Sequence, residues 1–357
     1  MVDTVPRDVR VSNPQANTGD WDMSLITTAD AVFQGGGVKG LAEVGAILEF
    51  ADHGDVAIEQ WVNLAGTSAG AIIAAYLATG HTTEQLSDLI QGMPVKSFED
   101  WGSGGAVIGG ALNLARCHGL AHGEAFRSWF DGELGGATCG SVRRQDVGPD
   151  KANDAYRLRL IATDTTQHKM LVLPNDLAFY RVLGSTRPID PDEFLISNAV
   201  RMSMSIPFFF QPVILESIET GEPCTIVDGG VLSNFPVWLF DVPDRDPVRP
   251  TFGFHLTGGK DLGGPLEQIA EDFWPVGLGA NIFHTASDAW DQRFVSESTI
   301  VRTCTIDVDP DIGTTDFALS DTAKQTLLKN GRDAAESFLD HFNPHAYRNT
   351  YGRQLAL

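Results

Sequence analysis

The chain has 357 residues, of which 47 are acidic and 25 are basic, and its formal net charge is −22. Nucleic acids and anionic lipid surfaces are bound mainly through lysine and arginine, so this composition argues against both kinds of partner. Hydrophobic residues make up 43% of the chain, enough for a sizeable core, and the length fits two ordinary domains or one large α/β unit.

The apolar runs and the cysteines indicate in which compartment the protein is expected to work. No apolar stretch is long enough to span a bilayer, and the polar residues 1–30 lack the apolar region of a secretory signal. We therefore expect a cytoplasmic protein, with a flexible arm over 1–28 and a tail over 343–357. The cysteines form no CxxC pair, which is typical of isolated thiols in a reducing compartment; they are Cys117, Cys139, Cys224 and Cys304.

The first predicted elements repeat one pattern, in which a short apolar strand runs into glycines and then into a helix. Apolar residues at spacings of three and four mark each helix. Two such units in succession predict parallel strands joined by helical crossovers, and hence an α/β fold. The units comprise strands 31–33 and 61–65, glycine segments 35–40 and 66–70, and helices 41–50 and 71–77.

The remaining chain shows further elements of both kinds and no repeat or linker. The glycine-rich segment 102–110 is predicted to form a lid. We expect a single domain over 29–342, with core motifs over 29–240 and a C-terminal extension over 245–342. Strands are predicted at 157–164, 224–228, 251–256 and 299–306, and helices at 124–134 and 321–342, the last capped by Asp321.

Residues 66–70 read Gly-Thr-Ser-Ala-Gly and fit the G-x-S-x-G pattern of a nucleophile elbow. The tight turn exposes the Ser68 hydroxyl, while Gly66 and Gly70 leave room where side chains would collide with the strand or helix. The first amides of the following helix lack intrahelical partners and would face that hydroxyl. The alternative is that Ser68 only caps a helix in a glycine turn.

Residues 35–40 read Gly-Gly-Gly-Val-Lys-Gly and admit two interpretations. They satisfy the dinucleotide pattern G-x-G-x-x-G, but the acidic residue expected at the tip of the second strand is missing. Three consecutive glycines also suit an oxyanion hole, because amides without a neighbouring Cβ can converge on one oxygen. Lys39 either stabilises this loop or meets an anionic head group, or it is an exposed residue at the helix start.

A serine nucleophile needs a base, and the sequence offers two kinds. Asp228, followed by Gly229 and Gly230, comes after an apolar strand, so its carboxylate would emerge at the carboxyl end where active sites of open α/β sheets collect. An ordinary turn is the alternative. His255 and His284 are the candidates for a Ser-His-Asp triad. No metal-ligand pattern is complete, so no metal site is predicted.

Taken in order, these three motifs resemble those of the patatin-like phospholipase family. That family has a G-G-G-x-[RK]-G oxyanion loop, a G-x-S-x-G elbow and a later D-G-[GA]. The resemblance covers about residues 29–240 and includes the segment 197–212, which runs from small residues to aromatics and proline. It implies a three-layer α/β/α fold with a mostly parallel central sheet.

The resemblance also implies a Ser-Asp dyad, with Ser68 as nucleophile and Asp228 as base, and no cofactor. The substrate would be a phospholipid or another acyl lipid, cleaved through an acyl-enzyme, with transient contact with a membrane or micelle. The oxyanion hole would lie at Gly35, Gly36, Gly37 and Val38. The residues supporting the motifs would be Lys39, Gly40, Gly66, Gly70, Gly229 and Gly230.

An acyl chain would require an apolar groove, for which methionine and phenylalanine are suited; ordinary core packing is the alternative. The groove candidates are Met202, Met204, Phe208 and Phe209, with Ile206 and Phe210 beside them. Three functions compete with lipid hydrolysis: a Ser-His-Asp esterase or acyltransferase, a nucleotide-binding module using the loop 35–40, and a catalytically silent lipid-binding protein.

Overall fold

The structure is a computed structural model of the full chain. It describes residues 26–53, 58–98, 119–143, 156–241, 249–291 except 261, 264–266, 268, 272 and 273, 297–347 except 317, and 349. The predicted lid over 102–110 lies outside the described residues, and so do most of the predicted arm and most of the predicted tail.

Strands and helices largely alternate as far as residue 164, and several strands follow one another directly in the rest of the chain. The strands are β1 Thr28–Phe33, β2 Gln60–Thr67, β3 Gly119–Ala121, β4 Leu158–Asp164, β5 Lys169–Leu173, β6 Tyr180–Val182, β7 Phe208–Phe210, β8 Val213–Ser217, β9 Pro223–Asp228, β10 Thr251–Lys260 and β11 Thr303–Gly313. The helices are α1 Gly40–Asp52, α2 Ala69–Ala78, α3 Thr83–Gly92, α4 Glu124–Glu133, α5 Ile196–Ser203, α6 Trp274–Asp291, α7 Glu297–Ile300 and α8 Asp321–His341.

Most of the strands form one mixed sheet in the order β11-β10-β1-β2-β4-β9-β8-β6, with β5 also paired with β4. The strands from β11 to β4 run parallel, as expected for strands joined by helical crossovers. The other pairings are antiparallel, and short turns connect β4 to β5 and β8 to β9. The α/β prediction is confirmed, and the hairpins make the sheet mixed. Strands β3 and β7 form a separate parallel pair.

Strand register brings the two predicted catalytic residues to the same level of the sheet. Thr67, which ends β2 just before Ser68, pairs with Ile161 of β4. Asp228, which ends β9, pairs with the next residue of β4, Ala162. Because β9 runs antiparallel to β4, the shared carboxyl edge of a parallel sheet is not the reason that Ser68 and Asp228 meet. Ser68 and Asp228 lie close together because β9 ends at the same level of the sheet as β2.

Helices α1 and α8 cover one face of the sheet and touch each other through glycine. A Cβ on Gly45 would lie 2.1 Å from the carbonyl oxygen of Leu328, and one on Gly331 would lie 1.8 Å from that of Ala42. Glycine at both positions therefore allows direct contact between the two helix backbones. Aromatic rings pack beside this contact in the main core: Phe33, Phe50, Phe252, Phe254 and Phe338.

A segment much shorter than α1 and α8 packs against the opposite face of the sheet. Val32, Ala65 and Ile161, from three neighbouring strands, form a small core with side chains of residues 235–240. That segment contains one turn of 3-10 helix, Val237–Phe240. In the described part of the chain, the third layer is therefore thin at this place, and the segment that forms it follows Asp228 closely.

Two predicted boundaries are wrong for local reasons. The strand predicted over 299–306 begins only at Thr303, because the preceding residues belong to α7 and a turn. The N-cap of α8 is Ser320, whose Oγ accepts a hydrogen bond from the Ala323 amide at 3.2 Å, so Asp321 is not the cap.

The described ends of the predicted arm and tail are held by the core. Ile26 is buried, and β1 begins at Thr28 within the predicted arm. In the predicted tail, Tyr347 is fully buried and its hydroxyl accepts a hydrogen bond from the Thr251 amide at 3.3 Å. These parts of both segments belong to the folded domain.

Candidate active site

Ser68 occupies a sharp turn between β2 and α2. Its φ of +52° and ψ of −120° form a conformation that is rare for a residue with a Cβ. A Cβ on Gly66 would lie 2.2 Å from the Gly70 carbonyl oxygen, and one on Gly70 would lie 2.5 Å from that of Phe33. The Ser68 amide donates a hydrogen bond to Ser203 Oγ at 3.1 Å. Strain of this kind at a serine is what the G-x-S-x-G pattern predicts for a nucleophile.

Asp228 is a buried carboxyl group at the end of β9. Only 1% of the residue is exposed, and Oδ1 accepts a hydrogen bond from the Gly230 amide at 2.7 Å. Burial raises the pKa of Asp228 to about 7, although the Gly230 amide and the Ser68 hydroxyl act in the opposite direction. An ordinary aspartate has a pKa of about 3.9. Asp228 is therefore a much stronger base than an exposed aspartate, and it titrates near neutral pH.

Ser68 and Asp228 are neighbours whose hydrogen bond is incomplete. The Ser68 hydroxyl is close enough to lower the pKa of Asp228. In the described structure, however, Asp228 Oδ2 is buried and makes no hydrogen bond of normal distance and angle. Long contacts of this kind are common in ligand-free active sites and tighten when substrate binds. Among the described residues, Oδ2 is thus the oxygen of Asp228 without a complete hydrogen bond.

The loop 35–40 lies directly against Ser68. A Cβ on Gly35 would lie 3.1 Å from Ser68 Cβ and 2.2 Å from Asn234 Oδ1. Gly37 has a φ of +55°, and a Cβ on it would lie 2.0 Å from the Thr314 carbonyl oxygen. Both positions therefore require glycine, one for space and the other for space and conformation.

Two of the four amides predicted for the oxyanion hole are already bonded. The Gly35 amide donates to the Asn234 carbonyl at 3.0 Å, and the Val38 amide donates to the Thr314 carbonyl at 3.1 Å. In the described structure, the amides of Gly36 and Gly37 make no such bond. The prediction is corrected accordingly: Gly35 and Val38 anchor the loop, and the adjacent pair Gly36 and Gly37 remains able to receive an oxyanion.

Sequence reasoning missed the residues that hold this loop and the elbow in place. Asn234 binds Gly35 twice, because its Nδ2 also donates to the Gly35 carbonyl at 2.9 Å. Asn234 is a polar residue just before an apolar run and six positions after Asp228. This position could have identified it as a candidate site residue. No comparable sequence signal identifies Ser203 or Thr314, because each lies far along the chain from the residue that it contacts.

Two cavities meet at Ser68. Ser68, Gly37 and Ile206 line both of them. The first, which we call the apolar cavity, is lined mainly by hydrophobic side chains, including Ile72, Ile73, Met93, Phe126, Met204 and Phe209. The second, which we call the polar cavity, is lined by residues that include Lys39, Phe208, Asp228, Asn234, Thr314 and Thr315.

The predicted acyl groove corresponds only in part to the apolar cavity. Met204 and Phe209 line that cavity, whereas Phe208 lines the polar one. Met202 is 1% exposed, packs in the main core and lines neither cavity, so it is removed from the groove. The helical residues Ile72 and Ile73 were missed, because apolar residues on a helix are most often core residues.

The motif residues beside the glycine loop and Asp228 are closely packed. Lys39 is buried, and its ammonium group donates to the Gly258 carbonyl at 3.5 Å, so the interpretation as an exposed residue is wrong. A Cβ on Gly40 would lie 3.3 Å from Ala69 Cβ, and one on Gly229 would lie 2.3 Å from the Ile161 carbonyl oxygen. Gly40 thus brings α1 close to the elbow, and Gly229 lets the turn after Asp228 cross β4.

Of the two histidines considered as bases, the structure describes the side chain of His255 but not that of His284. The ring of His255 packs against Phe235, with centroids 5.2 Å apart, and lines neither cavity. The side chain of His284 lies outside the described residues. Among the residues that line the polar cavity, the titratable side chains are Asp228 and Lys39.

The combination of a serine elbow, a glycine loop and an adjacent buried aspartate matches a known group of proteins. The sequence profile of the family described as patatin-like phospholipase matches residues 31–241, which is more than half of the chain. The chain belongs to the patatin-like phospholipase family. All three motifs lie within the matched residues, and the patatin-like part ends at the thin third layer.

Relatives and a solved structure extend this comparison beyond the motifs. The uncharacterized protein YqhO of Bacillus subtilis (strain 168) is 35% identical over 323 residues, covering 87% of this chain and 97% of YqhO. The uncharacterized protein R571 of Acanthamoeba polyphaga mimivirus is 23% identical over 300 residues, covering 83% of this chain and 89% of R571. The crystal structure of VipD from Legionella pneumophila shares the fold, with a TM-score of 0.53 at 17% identity, over 88% of this chain and 67% of VipD.

Proposed function

We propose that this patatin-like protein is a lipid acyl hydrolase, which cleaves carboxylic esters of phospholipids or related acyl lipids through an acyl-enzyme on Ser68. The observation that carries this proposal is the meeting of the apolar and polar cavities at Ser68. A lipid ester is divided in the same way, with an apolar acyl chain on one side of its carbonyl and a polar alcohol on the other. Membership of the patatin-like phospholipase family supports lipid hydrolysis.

The reaction would run in two steps on the same groups. Ser68 Oγ attacks the ester carbonyl carbon while its proton passes to Asp228, and the amides of Gly36 and Gly37 donate to the oxyanion. When the oxyanion collapses, the bond to the alcohol breaks and the alcohol takes the proton from Asp228. Water then loses a proton to Asp228 and attacks the acyl-enzyme, and that proton returns to Ser68 as the fatty acid leaves.

The surroundings of Asp228 support its role as the base without histidine. Proton transfer is most effective when the pKa of the base lies near the working pH, and burial raises the pKa of Asp228 to about 7. Since the alcohol must be protonated by a carboxylic acid, oxygen esters are better substrates than amides. Lys39 gives the polar cavity a positive charge, which suits an anionic head group.

Helix α6 offers the surface through which the protein would contact a lipid aggregate. Val276, Ala280 and Phe283 line the polar cavity, whereas Leu278 and Ile282 of the same helix are 48% and 60% exposed. Apolar side chains exposed beside a ligand site are typical of interaction surfaces. The helix contains no lysine or arginine, so we expect it to contact neutral or zwitterionic lipid.

The decisive experiment compares the wild type with Ser68→Ala by mass spectrometry of a mixed lipid extract. The wild type should release fatty acids and the matching lysolipids, and the variant should lose this activity by at least about 10³-fold because no nucleophile remains. Ser197→Ala is the matched control: this serine is also buried but bonds to Asp131 at 2.7 Å, and the variant should retain activity. A wild type that binds lipid without consuming it would overturn the proposal.

The competing functions predict different results in the same assay. A Ser-His-Asp esterase would lose turnover in His284→Ala, whereas the proposed dyad retains it in that variant and loses it in Asp228→Asn. A nucleotide-binding module would show a rise in melting temperature with NAD or ATP, since ligand at 100 times its Kd stabilises a protein by about 2.7 kcal/mol.

A further inference from the structure

Glu43 is a buried carboxyl group that the proposed mechanism does not use. It lies in the first turn of α1 and is fully buried, with no ion-pair partner among the described residues. Its Oε1 accepts a hydrogen bond from the Gln34 amide at 2.8 Å. Its Oε2 is buried and has no hydrogen-bond partner in the described structure.

This carboxyl group lies against both ends of the glycine loop. Gln34 immediately precedes Gly35, and a Cβ on Gly40, the residue that closes the loop, would lie 3.6 Å from Glu43 Oε2. Glu43 therefore lies next to Gln34 and Gly40, the residues that precede and close the loop. Its bond with the Gln34 amide ties the start of the loop to α1.

The other bonds of the loop reach it from later parts of the chain. Gln34 Oε1 accepts from the Leu256 amide at 2.6 Å, Gly35 is bonded to Asn234, and Val38 is bonded to Thr314. The Gln34 amide donates both to the Phe254 carbonyl of β10 at 3.2 Å and to Glu43, and the bond to Glu43 holds the loop from the side of α1. The loop is thus held between the sheet edge and the first helix.

The surroundings of Glu43 disfavour its ionised form. Burial raises its pKa well above the ordinary value, and the bond from the Gln34 amide only partly offsets this. The titratable group coupled to it is the buried Cys304 thiol of β11, whose pKa burial raises to about 12, with a further contribution from Glu43. A neutral carboxyl group can hold the loop without placing a negative charge behind the position of the oxyanion.

We propose that Glu43 is a positioning residue for the oxyanion hole, which accepts the hydrogen bond of the Gln34 amide so that the amides of Gly36 and Gly37 remain available to the ester carbonyl. This inference rests on the proposed function. Loss of the Glu43 bond would loosen the loop, and ionisation of Glu43 would oppose formation of the oxyanion. Both changes would lower kcat more than they raise KM, because the oxyanion exists only after substrate has bound.

The test uses Glu43→Gln and Glu43→Leu with a soluble short-chain ester, measured across pH. Glu43→Gln keeps an acceptor for the Gln34 amide and cannot ionise, so its kcat should stay within about threefold of the wild type and should not fall at alkaline pH. Glu43→Leu lacks the acceptor and should lose about 10- to 100-fold in kcat with little change in KM.

A matched control is another buried carboxyl group on a neighbouring element. Asp30 of β1 accepts a hydrogen bond from the Asn63 amide at 2.9 Å, away from the loop. Asp30→Asn should lower the melting temperature without changing the pH profile of kcat. If Glu43→Leu behaves like Asp30→Asn, or if Glu43→Gln loses as much kcat as Glu43→Leu, the inference is wrong.

Hydrogen exchange separates failure of this inference from failure of the proposed function. In Glu43→Leu, backbone amides of residues 34–40 should exchange faster than in the wild type, while those of α8 should not. If the wild type cleaves no ester, the proposed function fails, and faster exchange in this loop still supports the positioning role. Unchanged exchange in the loop would overturn that role even in an active enzyme.

Discussion

At the scale of single residues, the surroundings of Asp228 support the proposed role of a lone carboxylate as a base. Asp228 has one oxygen bonded to the Gly230 amide and one buried without a complete bond. Burial makes the ionised form of Asp228 costly, and under the proposed mechanism the same cost lets Asp228 take a proton from Ser68 near neutral pH. The proposed mechanism therefore gains reactivity at a position that lowers the stability of the fold.

The pH dependence of Asp228→Asn tests this trade-off. The folded pKa of about 7 exceeds the unfolded value of about 3.9, so stability is lost as pH rises between these values and stays lower above them. The amide introduced by the substitution cannot ionise, so the inactive variant should be more stable than the wild type at pH 8, on the order of a few kcal/mol. The difference should shrink as pH is lowered towards 5. Wild-type kcat/KM should rise about tenfold per pH unit below 7 and level off above it.

Urea unfolding of both proteins at several pH values measures this difference. Ser68→Ala is the control, because it is inactive but keeps the Asp228 carboxyl group and should keep the wild-type pH dependence of stability. A difference between Asp228→Asn and the wild type that does not vary with pH would show that burial of the charge is not the cause.

The sequence predicts the reacting residues better than the residues that hold them. Ser68 and Asp228 could be selected because strained turns next to glycines leave a short local pattern. Asn234 and Glu43 could not, because their contacts with the loop depend on how distant elements pack. Met202 was misplaced for a related reason: an apolar residue in a small helix looks the same whether it faces a cavity or the core.

At the scale of elements, the site depends on where strands and helices stop. The antiparallel strand β9 ends level with β2, and this register could not be deduced from motifs that suggested parallel strands. The strand–glycine–helix units were predictable because apolar periodicity and glycine turns are local. The hairpins of the second half were not, because the order of strands in a sheet is set by long-range pairing.

The exposed apolar side chains of helix α6 lead to a prediction at the scale of elements. Replacing Leu278 and Ile282 by serine removes the exposed apolar side chains and leaves the residues that line the polar cavity in place. The double variant should bind phosphatidylcholine vesicles about tenfold more weakly, with hydrolysis of a soluble short-chain ester unchanged. Vesicle sedimentation and ester turnover measure the two properties.

The β6 edge supplies a matched control for this experiment. Val182 and Leu183 are 57% and 53% exposed and lie on or beside an edge strand of the sheet. Serine at both positions removes a similar amount of exposed apolar surface and should leave vesicle binding unchanged. Equal weakening by both double variants would mean that α6 has no special part in lipid contact.

At the scale of the whole molecule, the net charge of −22 restricts the lipid surfaces that the protein can approach. Like charges repel it from anionic bilayers, and salt screens this repulsion with a Debye length of about 8 Å at physiological ionic strength. We expect stronger binding to phosphatidylcholine than to phosphatidylglycerol vesicles at low salt, with the difference decreasing as salt is added. Stronger binding to phosphatidylglycerol that salt abolishes would contradict this expectation. None of the described helices is long and apolar enough to cross a bilayer.

The part of the chain beyond the patatin-like match completes the fold around the site. Strand β10 lies beside β1, and the backbones of α8 and α1 touch at Gly45 and Gly331. No sequence motif predicts these roles, because strand pairing and close helix packing leave no local pattern in the sequence. The sequence therefore predicts the proposed chemistry from motifs in the first two thirds but does not reveal the structural support from the last third.

The bond between Val38 and Thr314 has a consequence for biosynthesis. A chain emerging from the ribosome exposes its serine elbow early, yet the partner that fixes the glycine loop is translated more than two hundred residues later. Unfinished chains would carry Ser68 before the glycine loop has all of its anchors. Under the proposed function, ester cleavage would then begin only when translation is nearly complete.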